Sequence, residues 1–353
     1  MSEFIAAERQ AAQDWRAIAH WLQQQGLEME PGSVRQFASG LANLNFLLTL
    51  NGRPAVLRRP PGGTLPPGAY DLERQHRVMS RLGAHFRYTP AVLAYCTDAS
   101  VIGVPFLVIE FREGVAISRT LPAAFLGVPQ AGARLSALMV NSLAELHAIS
   151  PAEAGLEDLG KPQGFCLRQV QGWQKRASLV MEGEQLRSVQ VITHWLAAHL
   201  PQERPACILH LDYKLDNVLV NPATLTIGGV VDWEMATLGD PMFDLALMLV
   251  VWGDPGDPAV YSRNACTPTD ASGWWTRRQA LQAYLDRRGT GLTEDELRFY
   301  WLLALLRNYV ACAQLVALYK REVMPNASTL DLAALVDSGI AHTRRLLDEP
   351  LDW

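Results

Sequence analysis

The spacing of apolar residues divides the chain into a strand-rich first part and a helix-rich second part. Residues 3–25 show the periodicity of an amphipathic helix, with apolar residues on one side. Short apolar runs follow, and Asn51-Gly52 lies between two of them, which is a strong signal for a hairpin. A second helical pattern covers residues 71–82. We therefore predict strands at 34–37, 46–50, 55–59, 92–95 and 104–111.

After Gly114 the pattern changes to that of long amphipathic helices. These helices are predicted at 131–148, 165–181, 186–199, 276–287, 294–320 and 329–347. A chain of 353 residues exceeds one ordinary hydrophobic core, so two lobes are expected. The predicted fold class is α+β, with a small antiparallel-sheet lobe at residues 1–111 and a large helical lobe at residues 112–353.

Composition narrows the class of protein. Apolar residues make up 49% of the chain and charged residues 19%, which describes a globular protein and excludes disorder. The net charge of -5 implies neither a nucleic-acid partner nor a membrane partner. The five cysteines lack the spacing of a disulfide framework or a zinc site. The acidic N-terminus is unlike a signal peptide, and the apolar run at 245–252 is too short to span a bilayer. We expect a cytoplasmic enzyme.

One stretch in the second part carries the candidate chemistry. It contains Asp212, then Asn217 five residues later, then Asp232 fifteen residues beyond that. Transfer of a phosphoryl group from ATP needs a carboxylate that orients and deprotonates the attacking hydroxyl, together with two oxygen ligands for magnesium. Asp and Asn are also common in turns, so each residue alone could have a structural role. The spacing HxDxKxxN, followed by an apolar strand, a turn and an aspartate, favours the chemical interpretation.

The residue types suggest a role for each position in this stretch. Asp212 would accept the proton of the substrate hydroxyl. Lys214 would neutralise the transferring phosphoryl oxygens, although a solvated surface lysine is the alternative. Asn217 and Asp232 would bind magnesium, which prefers hard oxygen ligands. His210 is expected to support the loop through a backbone hydrogen bond.

Three further aspartates in this region are expected to have structural roles. Asp240 and Asp244 lie in GDPMFDLA, where they would cap the helix that starts near Pro241 and tie down the catalytic loop. Asp216 is adjacent to Asn217 but alternates away from it, which favours a turn or a salt bridge.

The series HxDxKxxN, DWE and GDPxxDLA resembles the aminoglycoside/choline kinase-like phosphotransferase family, which is built on the protein-kinase fold. The segments ALLRNYV, SLAELHAISPAEAGLEDLG, FCLRQVQGW and VVDWEMATLGDPMFDLA are similar to the kinase domains associated with acyl-CoA dehydrogenases. The similarity covers most of residues 33–345. It implies a bilobal kinase-like fold, with the catalytic loop and the acceptor pocket in the helical lobe, and with ATP and Mg²⁺ as cofactors.

The resemblance also implies a nucleotide site in the first lobe. Ser39, Gly40 and Asn43 belong to the segment in the position of the phosphate-covering loop, where small and polar residues let backbone N–H groups approach phosphate oxygens. This segment has only one glycine, so an ordinary β-turn is the alternative.

Three more residues of the first lobe are implied in nucleotide binding. Arg58 occupies the position of the family's phosphate-contacting Lys or Arg, with an exposed position on the strand as the alternative. The main chain of Glu110 and Arg112 would contact adenine. Such a contact has no residue-type signature.

The chain departs from the family pattern at two positions. Gln75 is found where the family usually has a helix glutamate that pairs with the strand Lys or Arg. The helical spacing places Gln75 on the inward face, where its amide could accept a hydrogen bond from Arg58 without compensating the charge. Leu211 is found where close relatives often carry glycine.

The acceptor is the least specified part of the prediction. Candidate lining residues lie in 252–275, including Trp274-Trp275, and on the helix that carries Arg307. The segment 254–257 offers two carboxylates for a polycation, whereas Arg307, Lys320 and Arg321 could contact an anionic acceptor or form helix-surface salt bridges.

Three classes of function remain open from the sequence. The leading hypothesis is an ATP- and Mg-dependent phosphotransferase that acts on a hydroxyl of a small metabolite, with a hydroxyacyl group or its coenzyme A thioester suggested by the resemblance. An aminoglycoside- or choline-type kinase is the alternative within the class. A pseudokinase-like nucleotide-binding or regulatory protein is the alternative from another class, and a metal-dependent hydrolase ranks below both because a dinuclear ligand set is lacking.

Overall fold

The structure is a computed structural model that describes residues 4–38, 43–61, 71–320 and 329–351. The chain divides into two compact units. The first contains residues 1–114 and 228–236, and the second contains residues 115–227 and 237–353. The first unit is built on an antiparallel sheet and the second consists mainly of helices, so the predicted α+β class is confirmed.

The described part of the first unit contains a five-stranded sheet in the order β1-β2-β3-β5-β4, with all neighbours antiparallel. Its strands are β1 (Arg35–Gln36), β2 (Leu44–Leu50), β3 (Arg53–Arg59), β4 (Val92–Cys96) and β5 (Phe106–Glu110). Asn51 and Gly52 form the tight turn between β2 and β3, with φ values of 49° and 73°. Both values lie in the left-handed region that such a turn requires, so the hairpin expected from the sequence is present.

In the described residues of this unit, three α-helices accompany the sheet: α1 (Trp15–Gln24), α2 (Leu72–Leu82) and α3 (Ala99–Ile102). The helix α1 is shorter than the predicted 3–25. It starts after Asp14, whose side chain accepts hydrogen bonds from the amides of Arg16 and Ala17 and therefore caps the helix. The residues before it are not part of α1: the Ile5 amide donates to the Gln36 carbonyl at 2.9 Å, and Ala7–Arg9 form a separate short 3-10 helix.

The segment 228–236 belongs to the first unit, although the sequence analysis placed it in the helical lobe. The Val230 amide donates to the Tyr88 carbonyl at 2.7 Å. Arg74 Nη1 of α2 donates to the Ala236 carbonyl at 2.9 Å. These contacts are long-range in sequence, so no local pattern could have indicated them.

The second unit contains the helices α4 (Ala131–Ala148), α5 (Phe165–Ala177), α6 (Gly183–Ala198), α7 (Pro241–Val250), α8 (Ala259–Asn264), α9 (Arg277–Arg288), α10 (Glu294–Lys320) and α11 (Thr329–Arg345). Its short strands are β6 (Cys207–Leu209), β7 (Val218–Asn221) and β9 (Thr237–Gly239). A further strand, β8 (Thr226–Val230), contains the point at which the chain passes into the first unit.

The helices α7 and α10 form the core of the second unit. Every residue of α7 is buried, as expected for a helix that is apolar on all sides. α10 packs against α5, α6, α7 and α11. Within the described residues, the segment Glu294–Leu318 of α10 is the one helix long and apolar enough to cross a bilayer by length and composition. Its packing is that of a core helix.

Candidate active site

The loop that carries Asp212 follows β6 and is held by Asp244 of α7. The amides of His210 and Leu211 donate to Asp244 Oδ2 at 2.7 Å and to Oδ1 at 2.9 Å. His210 in turn supports the loop from within, because the Asp212 amide lies 3.3 Å from its Nδ1. Asp240 caps α7 through a 2.9 Å hydrogen bond from the Met242 amide. The contacts expected of His210, Asp240 and Asp244 are therefore present.

Two residues that the sequence analysis missed support Asp244. His147 Nε2 lies 3.2 Å from Asp244 Oδ2, and His147 Nδ1 lies 2.5 Å from the Tyr284 hydroxyl. Burial raises the pKa of Asp244, but the hydrogen bonds that its carboxylate accepts, above all the one from His147, bring this pKa below its ordinary value. Asp244 therefore stays ionised while its side chain is 0% exposed. His147 lies in the SLAELHAIS segment, but nothing in its local pattern indicates a partner in α7.

The three candidate residues of the loop lie together. Asn217 Nδ2 donates to Asp212 Oδ2 at 2.8 Å and to the Asp212 carbonyl at 2.8 Å. Lys214 Nζ lies 3.3 Å from Asp212 Oδ2 and 3.6 Å from Asp216 Oδ2. Burial lowers the pKa of Lys214, but the charges of these two carboxylates raise it above its ordinary value. Lys214 is thus a fixed positive charge beside Asp212, and Asp216 has the expected salt bridge.

The donor set of the loop fits a hydrated magnesium ion. Asn217 uses its Nδ2 for Asp212, so its carbonyl oxygen Oδ1 is the atom that can bind a cation. Among the described residues, no group of three or more His, Cys, Asp or Glu side chains is placed to hold a metal. Magnesium is usually bound by one or two protein ligands together with phosphate oxygens and water, and Asn217 Oδ1 suits such a site.

Leu211 has a φ of 61°, in the left-handed region where a residue with a Cβ is disfavoured. This conformation explains physically why glycine is suited to the position. The Leu211 carbonyl accepts a hydrogen bond from Arg307 Nη2 of α10. Arg307 was a candidate for contacting an anionic acceptor, but in the structure its guanidinium donates to the loop backbone. Arg321 and the side chain of Lys320 lie outside the described residues.

In the first unit, Arg58 and Asp232 form an ion pair, with 3.0 Å between Nη2 and Oδ1. Arg58 is 8% exposed, so the alternative of a solvated arginine on the strand is wrong. Asp232 has a φ of 72° and lies in the left-handed region. Asn43 is 3% exposed, while Ser39 and Gly40 lie outside the described residues.

Gln75 points inward, as the helical spacing predicts, and is 0% exposed. It does not accept a hydrogen bond from Arg58, because its Oε1 has no partner. Its Nε2 lies 3.5 Å from Glu234 Oε2, which also accepts from Asn43 Nδ2 at 3.1 Å. Glu234 therefore supplies a carboxylate next to Gln75. Glu234 is part of the DWE motif, but nothing in its local pattern indicates Gln75 as a neighbour.

The position of Glu234 leads to a prediction for Gln75→Glu. Restoring the glutamate of the family pattern places two carboxylates about 3.5 Å apart in a buried site, and such a pair raises the pKa of one of them. We expect the free energy of unfolding to fall by roughly 1–3 kcal/mol at pH 7. The loss shrinks as the pH falls through the raised pKa, because the shared proton removes the repulsion. Thermal unfolding at pH 5 and pH 8 tests this prediction, with Gln75→Met as the uncharged control; a more stable Gln75→Glu protein contradicts it.

The side chains of Glu110 and Arg112 stabilise the segment before β4. Glu110 Oε2 accepts from the Ala91 amide at 3.1 Å and lies 3.0 Å from Arg112 Nε. Arg112 Nη2 donates to the Thr89 carbonyl at 3.0 Å. The Glu110 amide donates to the Ala91 carbonyl at 2.8 Å, so this N–H is already used within the fold. A main-chain contact of Glu110 and Arg112 with adenine stays a prediction.

The carboxylates at 254 and 257 do not form an open acidic cleft. Arg277 is 0% exposed, and its two terminal nitrogens lie 2.7 and 2.5 Å from the oxygens of Asp257. Asp254 accepts from the Arg277 amide at 2.9 Å. Both carboxylates therefore accept hydrogen bonds from a buried arginine, and the sequence-based suggestion of a polycation site at this segment is wrong.

The tryptophans near this segment are partly structural. Trp252 is 1% exposed and donates its indole N–H to the Trp275 carbonyl at 2.8 Å. Trp274 packs edge-on to Trp252 with the ring centroids 6.3 Å apart, and both Trp274 and Trp275 are half-buried. Trp252 thus belongs to the core, while the other two are part of the boundary between the core and solvent.

A five-stranded antiparallel unit, together with a helical unit whose Asp-Lys-Asn loop is anchored on a buried aspartate, is characteristic of the kinase-like small-molecule phosphotransferases. The sequence profile of the Phosphotransferase enzyme family matches residues 33–274, and the chain belongs to this family.

Individual proteins similar to the chain agree with this assignment. A candidate aminoglycoside phosphotransferase from Ralstonia eutropha is 27% identical, with a TM-score of 0.76 over 95% of this chain and 99% of that one. A thermostable mutant of aminoglycoside phosphotransferase APH(4)-Ia, solved with AMP-PNP and hygromycin B, is 16% identical to this chain. Its TM-score is 0.60 over 94% of this chain and 99% of that one, and at this identity the similarity concerns the fold only.

Acyl-CoA dehydrogenase family member 11 of Gallus gallus is 33% identical over 303 residues, which cover 84% of this chain and 38% of that protein. Across the acyl-CoA dehydrogenase relatives of mouse and rat, the chain spans between 27% and 41% of their length.

Proposed function

We propose that this protein is an ATP- and Mg-dependent phosphotransferase that moves the γ-phosphoryl group to a hydroxyl of a small metabolite. The observation that carries the proposal is the arrangement around Asp212, whose carboxylate is oriented by Asn217 and Lys214 in a loop tied to the buried Asp244. Membership of the phosphotransferase family supports it. The AMP-PNP in the similar aminoglycoside phosphotransferase supports ATP as the donor.

The two oxygens of Asp212 have different environments. Oδ2 accepts from Asn217 and lies next to Lys214, so Oδ1 is the oxygen left to accept the proton of an acceptor hydroxyl. A proton taken by Oδ1 leaves the acceptor oxygen as the nucleophile. Lys214, which stays charged, stabilises negative charge on the transferring group. Asn217 would bind magnesium through its Oδ1, and magnesium neutralises phosphate charge when it is bound. Arg58 would contact a phosphate.

We propose a hydroxylated acyl group, free or as its coenzyme A thioester, as the acceptor class. The acyl-CoA dehydrogenase relatives support this choice, because they contain a region similar to most of this chain. The pairing of Asp254 and Asp257 with Arg277 also disfavours a polycationic acceptor at this segment. An aminoglycoside-type kinase is the second candidate, and the similarity to the Ralstonia eutropha protein is the observation that favours it.

An acceptor screen tests the proposal. Hydroxylated fatty acids, their coenzyme A thioesters, aminoglycosides and choline are each supplied with Mg-ATP, and acceptor-dependent ADP release is measured. We expect release with the hydroxyacyl compounds. Release with an aminoglycoside or choline alone supports the second candidate. If no acceptor works while Mg-ATP still raises the melting temperature, the chain is a nucleotide-binding protein without catalysis, and the proposal is overturned.

A further inference from the structure

The backbone next to the candidate catalytic carboxylate adopts a disfavoured conformation. Leu211, directly before Asp212, has a φ of 61° and is 7% exposed. For a residue with a Cβ, the left-handed region persists only where the surrounding structure enforces it. Because Asp212 follows immediately, the orientation of the Leu211 residue sets the direction in which the Asp212 side chain leaves the backbone.

Two oppositely charged side chains hold the two polar groups of Leu211. Its amide donates to Asp244 Oδ1 at 2.9 Å, and its carbonyl accepts from Arg307 Nη2. Hydrogen bonds that involve an ionised partner are roughly twice as strong as neutral ones. A contact between Asp244 and the loop was expected from the GDPMFDLA segment. The Arg307 contact comes from α10, 96 residues away.

Arg307 itself is held in place. Its guanidinium carbon lies 5.7 Å from the centroid of the Trp173 ring on α5, within the range of a cation–π contact. Burial lowers the pKa of Arg307, while the charges of Asp212 and Asp244 oppose this change. An arginine nevertheless stays protonated in proteins, so a permanent positive charge faces the loop.

We propose that Arg307 is a positioning residue that holds the Leu211 carbonyl and thereby keeps Asp212 in the orientation required for phosphoryl transfer. The inference rests on the proposed function, but it assigns Arg307 no contact with ATP or with the acceptor. It therefore differs from the role that the sequence suggested for Arg307, a direct contact with an anionic acceptor. The two roles predict different kinetic changes.

The first experiment compares Arg307→Met and Arg307→Lys with the wild-type protein. A positioning role predicts that Arg307→Met lowers kcat about 10- to 100-fold, because a displacement of about 1 Å can cost this much. The KM values for ATP and acceptor stay nearly constant, and Arg307→Lys recovers part of the loss through its remaining donor. Arg298→Met is the matched control: Arg298 also lies on α10 and donates to the carbonyls of Leu346 and Glu349. It should leave kcat unchanged.

The second experiment repeats Arg307→Met in a Leu211→Gly background. Glycine adopts the left-handed conformation without the penalty of a Cβ, so the loop depends less on its carbonyl anchor. The loss of kcat caused by Arg307→Met should be at least about 5-fold smaller in this background than in the Leu211 protein. Equal losses in both backgrounds, or a raised acceptor KM with kcat unchanged, overturn the proposal.

A third measurement does not depend on activity. Amide hydrogen exchange of the peptide that contains Leu211 and Asp212 should accelerate in Arg307→Met and stay unchanged in Arg298→Met. Unchanged exchange in both variants contradicts the positioning role. If the wild-type protein transfers no phosphoryl group but the exchange result is as expected, the proposed function fails while the anchoring of Leu211 by Arg307 stands.

Discussion

The Asp212→Ala protein should bind Mg-ATP like the wild type and transfer phosphoryl groups about 10²- to 10⁴-fold more slowly, which is the usual contribution of a general acid–base residue. The substitution removes Oδ1, the oxygen left for the acceptor hydroxyl, together with the partner that Asn217 and Lys214 share. Asp212→Asn should show a similar loss, since an amide cannot accept the proton. Steady-state kinetics and a Mg-ATP binding titration measure the two effects separately.

Asp216→Asn is the matched control for charge near the loop. Asp216 also lies beside Lys214, at 3.6 Å, and its side chain is 35% exposed. A partly exposed ion pair of this kind contributes at most about 1 kcal/mol, so kcat should change by less than about fivefold. Turnover by Asp212→Ala at the wild-type rate removes Asp212 from the mechanism. An equal loss in both variants means that local charge, not proton transfer, is responsible.

Asp257→Ala should destabilise the folded protein by about 3–5 kcal/mol, because it leaves the guanidinium of Arg277 without its bidentate partner. Arg277 is 0% exposed and is enclosed by the Tyr261 and Trp301 rings, 5.0 and 5.6 Å from its guanidinium carbon. Asp254 Oδ2 still lies 3.8 Å from Arg277 Nη1 and compensates the buried positive charge only in part. Denaturant unfolding monitored by circular dichroism measures the loss in the free energy of unfolding.

Two comparisons show whether the buried charge is the cause. The double variant Asp257→Leu/Arg277→Met should be more stable than Asp257→Ala, since removing both partners avoids the buried unpaired charge. Glu184→Ala removes the shared partner of Arg187 and Arg344, whose side chains are 66% and 45% exposed, and should change stability little because exposed ion pairs contribute little. An Asp257→Ala protein as stable as the wild type contradicts the account of this buried pair.

Local patterns predicted the parts of the structure that depend on neighbours in sequence. The Asn51-Gly52 hairpin follows from turn chemistry, and the inward position of Gln75 follows from helical spacing. The first helix was predicted too long because apolar periodicity continues through 3–25, whereas the cap at Asp14 sets its start. The spacing of Asp212 and Asn217 was sufficient to group them, since they are five residues apart.

The parts that the sequence did not predict depend on contacts between distant segments. His147 reaches Asp244 across 97 residues, and Arg307 reaches Leu211 across 96. Neither has a local pattern that differs from an ordinary helix residue. Glu234 is part of a recognised motif, but its neighbour Gln75 comes from a helix 159 residues earlier. These pairs form only because the fold brings distant segments together, so the local pattern of a single sequence could not indicate them.

The most direct test of the account is a ³¹P NMR comparison of wild-type and Asp212→Ala proteins, each incubated with Mg-ATP and an acceptor that passes the screen. The account predicts a phosphomonoester signal and an equal amount of ADP with the wild type, and unchanged ATP with Asp212→Ala. Formation of inorganic phosphate without a phosphomonoester, or the same ester signal with both proteins, would contradict the claim that Asp212 directs phosphoryl transfer to an acceptor hydroxyl.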